Sequence, residues 1–272
     1  AELNEVKGKY TDPRRTQIIQ MDEGETAVDL LTTSDVMPEE QVWVAISPDN
    51  RIARSSDDKY FRQWGIGAPK MVLHTTTHQT VYIVADNGEA AALNVHALPV
   101  ASDLEKGALV SSVTPFDSNA KIKLLVSTPA ENNEEDGYIL SVTKQGMVKR
   151  SLLNELPGPS AHLFTLVKVN AGDELLSLLF TKGNEDLLIA TRSGMGIRFS
   201  EEEVRPMGLV AAGVNGIKLR DGDEVVGAGI ASRKGDILFI SNLGNGKRID
   251  PDEFQVQGRY GLGVIAWKLP DD

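Results

Sequence analysis

Among residues able to do chemistry, the four histidines come first, because imidazole binds metals and moves protons near neutral pH. His74 and His78 flank Thr75-Thr76-Thr77, a β-prone run whose alternation puts both rings on one strand face. Four residues of strand separate them by about 13 Å, too far to share one ion, and no carboxylate cluster accompanies them. Zero cysteines remove disulfides, thiolate nucleophiles and thiolate-bound zinc together. Gly261-Leu262-Gly263-Val264-Ile265-Ala266 matches G-x-G-x-x-A in letters only, since a strand pattern and not a helix follows. Asn132 to Gly137 lacks the alternating ligands of a calcium loop. No G-x-S-x-G elbow, phosphate-binding loop or Ser/His/Asp order occurs. No catalytic set, metal or cofactor is expected for this chain.

A cation, by contrast, recurs. Arg54, Arg150, Arg198 and Arg248 hold one position of a repeated unit, with Ala92 in the remaining copy, and Arg51, Lys149, Arg192, Lys247 and Arg259 are neighbours. A single arginine of this kind is most simply a solvated strand position. In a radial array, however, equivalent positions form a ring, and a ring of cations is a curved stripe that binds a polyanion through phosphates without reading bases.

The elements that would position them follow from self-similarity. Leu187 to Phe199 aligns without a gap on Ile237 to Ile249 at an offset of 248 − 198 = 50. Tyr138 to Arg150 aligns at 198 − 150 = 48, and two further copies surround Val81 to Gly88 and Val42 to Arg54. Each is strand, glycine turn, strand, with Asn50 at the turn of the first copy because asparagine also tolerates positive φ. Each continues through an acidic link to a third strand, placed at Ile217-Lys218-Leu219 or Thr165 to Val169, and a Gly-Asp turn into a fourth. Four short strands per 40 to 50 residues predict propeller blades, in units starting near 41, 80, 137, 186 and 235. The fifth unit is expected to lack its fourth strand, and Thr16 to Met21 is the candidate to supply it from the other terminus. Leu3, Val6 and Tyr10 predict a short helix in a tail or linker over residues 1–15, with the β domain over 16–272. The loop Glu131 to Gly137 reads as a solvated acidic insertion.

With 41% hydrophobic and 25% charged residues the 272-residue chain has the composition of a folded protein. No apolar run is long enough for a membrane helix, and the N-terminus lacks the order of a signal peptide, so no membrane partner and a cytoplasmic location are expected. A formal charge of 28 − 39 = −11 opposes a polyanion at long range, so any nucleic-acid site needs locally clustered cations.

Several stretches carry a resemblance. Phe199 to Gly208, containing Arg205-Pro206-Met207-Gly208, with Gly213 to Leu219, Gly222 to Gly227 and Phe254 to Val264, resembles the C-terminal domain of the DNA gyrase A subunit. Glu5 to Tyr10 with Asp12 to Thr16 resembles the exit from that subunit's breakage-reunion domain. The resemblance implies an all-β, propeller-like β-pinwheel of five or six four-stranded blades that binds and bends double-stranded DNA for a type IIA topoisomerase, at the nucleoid. It also implies as partners the breakage-reunion domain, which carries the catalytic tyrosine, and a separate ATPase subunit. The family's gyrase box, Gln-Arg-Arg-Gly-Gly-Lys-Gly, aligns with Gln63-Trp64-Gly65-Ile66-Gly67-Ala68-Pro69, so all three of its cations are replaced. Arg62 and Gln63 are what the first blade keeps there as DNA contacts. The degenerate box is also similar to that of the topoisomerase IV A subunit. A propeller serving as a protein-interaction platform is the alternative that the negative charge suits.

Overall fold

The computed structural model describes residues 37–61, 65, 67–128, 137–232 and 235–269. The expected N-terminal helix, Thr16 to Met21, Arg62, Gln63, and residues 131–136 of the acidic loop lie outside the described residues.

Five antiparallel hairpins repeat along the chain: β1 (Gln41–Ile46) with β2 (Arg51–Arg54), β4 (Thr80–Ala85) with β5 (Glu89–Asn94), β8 (Tyr138–Thr143) with β9 (Met147–Leu152), β12 (Asp186–Thr191) with β13 (Met195–Ser200), and β16 (Ile237–Ile240) with β17 (Gly246–Ile249). In the first four, the leading strand pairs on its other edge with β3 (Met71–Thr76), β7 (Ile122–Ser127), β11 (Leu175–Thr181) or β15 (Val225–Ile230). The trailing strand pairs with a two-residue strand sent back from the next unit: β6 (Ala108–Leu109) on β2, β10 (Phe164–Thr165) on β5, β14 (Val214–Asn215) on β9 and β18 (Val264–Ile265) on β13. The described residues thus form four four-stranded sheets and one two-stranded sheet, and blades exchange strands with their neighbours. Strands β3, β7, β11 and β15 touch in succession, which makes them the inner layer and the exchanged strands the outer one.

Two details differ from the sequence pattern. The third strand ends earlier than expected, at Asn215 and Thr165, because Ile217 and Val167 turn inward and are buried between blades. Among the described residues the fifth unit supplies β16, β17 and β18, and because β18 completes the fourth blade, the described part of the fifth blade is the two-stranded sheet of β16 and β17.

Blade packing explains the strand composition. In β4, Val81 and Ile83 belong to the core shared with the first blade, while Tyr82 and Val84 belong to the core shared with the third. Both faces of such a strand are dry, so it reads as a continuous apolar run. Strand β16 alternates between half-buried and exposed residues instead, because only its fourth-blade side is covered: Ile237 and Phe239 pack with Leu188, while Leu238 and Ile240 are in solvent.

Candidate nucleic-acid interface

In the third and fourth blades the recurrent arginine does not face solvent. Arg150 and Arg198 are 7% and 5% exposed, each within its strand, β9 or β13, three residues before a one-turn 3-10 segment. Their backbones hold the crossover of the next unit: the carbonyl of Arg150 accepts from Met207 N and that of Arg198 from Gln257 N, both at 2.7 to 2.8 Å. The Arg198 side chain donates to Asp186 at 2.9 Å, to Asp252 at 3.1 Å and to the Pro251 carbonyl at 2.8 Å. Arg150 lies over the Tyr138 ring at 4.5 Å and 3.9 Å from Glu201, a fully buried carboxylate that also accepts from Thr181 at 2.6 Å and Glu185 N at 2.8 Å. These arginines are interior buckles between successive blades, and the placement of Arg150 and Arg198 on a solvent-facing stripe is corrected. The physical reason is the crossover: it brings carboxylates and carbonyls of the following unit to the same repeat position, and a desolvated guanidinium needs partners of that kind.

Lys149 is buried more deeply still, at 1% exposure. Its ammonium donates to the carbonyls of Leu166 at 2.7 Å and Leu209 at 2.6 Å, tying the strand exchanged into the second blade to the crossover from the fourth. Burial pulls its pKa down to about 8, with Glu155 opposing that shift. Such a lysine is an internal clamp.

The remaining expected cations are more accessible. Arg54 is half-buried and, among the described residues, its side chain donates to the Ser55 carbonyl at 3.4 Å. Arg51 pairs with Asp49 at 3.1 Å and reaches the Gly107 carbonyl at 3.0 Å. Arg259 is half-buried and reaches the Asn215 carbonyl on β14. Lys247 donates to the Ala266 carbonyl at 3.0 Å. Arg192 and Arg248 are the open ones, with side chains 70% and 77% exposed, one 3.9 Å from Glu224 and the other 2.8 Å from Asp236. In the box region, Gly65 and Gly67 have φ of +83° and +85°, and Ala68 N donates to the Gly65 carbonyl at 3.1 Å, a tight turn. His74 Nε2 sits 2.7 Å from Asp58, which also accepts from Trp43 Nε1 at 2.9 Å; among the described residues no set of ligands could hold a metal.

A second recurrence is one that the strand pattern conceals. Lys168, Lys218 and Lys268 stand at strict offsets, 218 − 168 = 50 and 268 − 218 = 50, each three residues beyond an outer exchanged strand. All three are exposed, and among the described residues none has an ion-pair partner. The scaffold holds them alike, Lys168 N donating to the Ala211 carbonyl at 3.2 Å and Lys218 N to that of Gly261 at 2.9 Å. The detectable signal is the same 50-residue offset; the lysines fall inside the segment expected as a third strand, where alternation gives them no distinction.

Several carboxylates at the hairpin-tip end of the blades are already engaged, although Asp221, three residues beyond Lys218, is exposed. Asp173 and Asp223 cap hairpin tips, accepting from Gln145 N and Ser193 N at 2.9 Å each. Burial pushes the Asp223 carboxyl pKa up, but bonds from Ser193 and Thr191 outweigh it and hold the group below the usual range. Glu174 and Glu224 pair with Lys123, Lys144 and Arg192. Exposed acids such as Glu202, Glu203, Asp252 and Glu253 belong to the 3-10 segments at the opposite ends of the strands. A six-residue strand is about 20 Å long, beyond the roughly 8 Å screening length at physiological salt, so the overall charge of −11 does not govern the lysine end.

Comparisons with known proteins agree with this architecture. The family model described as DNA gyrase C-terminal domain, beta-propeller, matches residues 137–182, 185–232 and 235–272, three successive units. The DNA gyrase A subunit of Clostridium acetobutylicum is 32% identical over 227 residues, 79% of this chain and 26% of that protein. The Staphylococcus epidermidis counterpart is 33% identical over 231 residues, 80% of this chain and 25% of its own length. The chain therefore spans about a quarter of the curated relatives it matches. Among solved structures, the C-terminal domain of DNA topoisomerase IV superposes with a TM-score of 0.71 at 25% identity, covering 84% of this chain and 73% of that one. The DNA gyrase A C-terminal domain superposes at 0.67 and 18% identity, covering 83% and 76%. Strand exchange between blades, the repeated unit and these matches together make the chain a member of the DNA gyrase C-terminal domain family, with a β-propeller fold.

Proposed function

We propose that this domain binds and bends double-stranded DNA for a bacterial type II topoisomerase, as the C-terminal part of a gyrase-like A subunit. The observation that carries the proposal is the row of exposed lysines, Lys168, Lys218 and Lys268, without ion-pair partners among the described residues and repeated at one position beside the outer strand of successive units. A duplex following that row meets phosphate contacts at regular intervals along a curved surface and is bent without base readout. Arg192, Lys247, Arg248 and, more weakly, Arg51, Arg54 and Arg259 are the further candidate contacts, and Arg62 and Gln63, which lie outside the described residues, are candidates on sequence alone. The buried Lys149, Arg150 and Arg198 support the surface rather than touch DNA. Strand cleavage belongs to the breakage-reunion domain of the same polypeptide, and ATP use to a separate ATPase partner, so this chain is non-catalytic and works in the cytoplasm at the nucleoid.

The test is duplex affinity against salt for the parent chain and the variant Lys168→Ala, Lys218→Ala, Lys268→Ala. Each lost phosphate contact lowers the magnitude of the log–log slope by about 0.9, so the triple variant should lose about 2.7. A variant that melts like the parent and keeps the parent's slope would overturn the assignment of these lysines, and a parent with no salt-dependent binding would overturn the function.

A further inference from the structure

Between the lysines of the outer surface stand apolar side chains that no packing requires. Val210 is 72% exposed and Tyr260 50%, and they hold one position of the repeat, 260 − 210 = 50. Each lies at the tip of a turn ahead of an outer exchanged strand, Val210 before β14 and Tyr260 before β18. Tyr260 also has a positive φ, +68°, which among the described residues other than glycine only Asn50 shares. Bulky side chains rarely adopt that backbone. A tyrosine kept there with half its surface in solvent points to a use, because strain of this kind gathers where a site needs it.

The two turns are built against the lysine row. The carbonyl of Gly261, the residue after Tyr260, accepts from Lys218 N at 2.9 Å, and that of Ala211, after Val210, accepts from Lys168 N at 3.2 Å. Each apolar tip therefore sits at a seam, where the outer strand of one blade meets the crossover into the next. Both tips are firmly mounted. Tyr260 N donates to the Gly216 carbonyl at 2.8 Å, Arg259 N to the Glu203 carboxylate at 2.8 Å, and the Arg259 guanidinium to the Asn215 carbonyl. Glu203 is thereby committed to the backbone, and Arg259 offsets its charge. At the other seam, Ala211 N closes the turn on the Gly208 carbonyl at 3.0 Å and the Lys149 ammonium holds the Leu209 carbonyl at 2.6 Å.

We propose, resting on the DNA-binding reading above, that Tyr260 and, to a smaller degree, Val210 are wedges that press into the minor groove of a duplex lying on the lysine row and kink it at the seams between blades. Phosphate contacts alone spread a bend smoothly, whereas an apolar side chain set against a base step partly unstacks it and localises the bend there. Such a wedge needs a rigid mount and cations to hold the sugar-phosphate backbone on either side. Tyr260 has both, with Arg259 next to it in the chain and Lys218 across the seam. Those cations favour DNA over a protein partner as the occupant. One repeat earlier, 210 − 160 = 50, the position holds Ser160, which is small and polar. The series serine, valine, tyrosine is thus graded, and the sharpest kink falls between the third and fourth blades.

The test compares the parent chain with Tyr260→Gly and Tyr260→Phe on an end-labelled duplex of roughly 40 base pairs, well under the persistence length of about 150, so that energy transfer between the ends reports the bend. Glycine and asparagine both accept the positive φ, so Tyr260→Gly, with Tyr260→Asn as a second choice, should melt within about 4 °C of the parent. The expected result for Tyr260→Gly is a bend smaller by about 20° or more and an affinity about threefold to tenfold weaker at every salt concentration, with the salt slope kept. Tyr260→Phe should match the parent, since the ring and not the hydroxyl fills the step, and Ser160→Ala should change neither bend nor affinity. A Tyr260→Gly chain that binds and bends DNA like the parent would overturn the wedge and leave these tips to a protein partner. A lowered salt slope would overturn it as well, because the residue would then only hold phosphate contacts in place. A parent without salt-dependent binding removes the DNA reading and the wedge together, whereas an unchanged bend removes the wedge alone, so the two failures are distinguishable.

Discussion

In the fourth blade, Arg198 is enclosed by Asp186, Asp252 and the Pro251 carbonyl; fifty residues later Arg248, in the same place of the repeat, keeps Asp236 and leaves 77% of its side chain in solvent. The turn glycines differ in the same way. Gly194 and Gly244 have φ of +79° and +80°, yet a Cβ on Gly194 would overlap the Trp267 carbonyl oxygen while one on Gly244 would meet nothing within 4 Å. In both cases the covering atoms belong to the following unit, since Pro251, Asp252 and Trp267 are all fifth-unit residues. Burial in this array is therefore conferred by the successor, and a repeat position has no fixed environment of its own. One sequence signal, a recurrent arginine, is an interior buckle at Arg150 and Arg198, where the next unit covers it, and an exposed cation at Arg248, which no described residue of a later unit covers.

The largest expected effect that separates the two regions is Arg198→Ala. It leaves Asp186, Asp252 and the carbonyls of Pro251 and Phe254 without their donor around a nearly dry site, which should cost about 3 kcal/mol and lower the melting temperature by roughly 6–12 °C. Thermal denaturation monitored by circular dichroism measures it, and a shift as small as that of Arg248→Ala would refute the buckle. Next comes the glycine pair. Gly244→Ala carries only the left-handed backbone penalty of about 1 kcal/mol. Gly194→Ala carries that penalty and must also displace the carbonyl of Trp267, so it should destabilise by at least about 2 kcal/mol. Equal urea midpoints for the two would mean that β18 does not hold its place against the fourth blade.

The inner clamp gives a pH signature. The folded pKa of Lys149 is about 8, below its ordinary value of 10.5, so the folded state binds fewer protons than the unfolded state between those values. The cost of burying the charge is complete below pH 8 and is relieved as pH rises toward 10.5, so this residue makes stability increase with pH across that window. Urea titrations from pH 7.5 to 10 should show the rise for the parent relative to Lys149→Met, which removes the titrating group. Parallel profiles would show that Lys149 stays charged in the fold.

Much of this is legible in the sequence and some of it is not, for physical reasons. Hairpins and turn glycines are visible because their determinants are local: alternating or continuous apolar runs, and positive φ at Asn50, Gly88, Gly146, Gly194 and Gly244. The exchanged strands lie a few residues from their expected places because each is a two-residue ladder with a distant partner. Val214 faces Val148, 214 − 148 = 66 positions upstream, and nothing local encodes that partner. The arginines look exposed in sequence because their carboxylates, Asp252 for Arg198 and Glu201 for Arg150, lie about 50 residues away. Lys168, Lys218 and Lys268 are inconspicuous for the converse reason: exposure is a property of the turn after the outer strand, and the sequence pattern there is that of a strand.

The smallest stability effect expected is at Arg248, and it sharpens the comparison most because it separates binding from folding. Its partner Asp236 is 38% exposed and the pair is solvated, so Arg248→Ala should change stability by no more than about 0.5 kcal/mol, with a coupling to Asp236 of about 0.2–1 kcal/mol in a double-mutant cycle. In DNA binding the same substitution should remove one phosphate contact and reduce the salt slope by about 0.9, whereas Arg198→Ala, measured where the variant is still folded, should leave the slope unchanged. The slope is the decisive quantity because a merely loosened domain loses affinity at every salt concentration without changing the number of counterions released. If Arg198→Ala alters the slope and Arg248→Ala does not, the roles of the two positions are reversed: the enclosed arginine then swings out to meet the duplex, and the fifth unit stands apart from the DNA path.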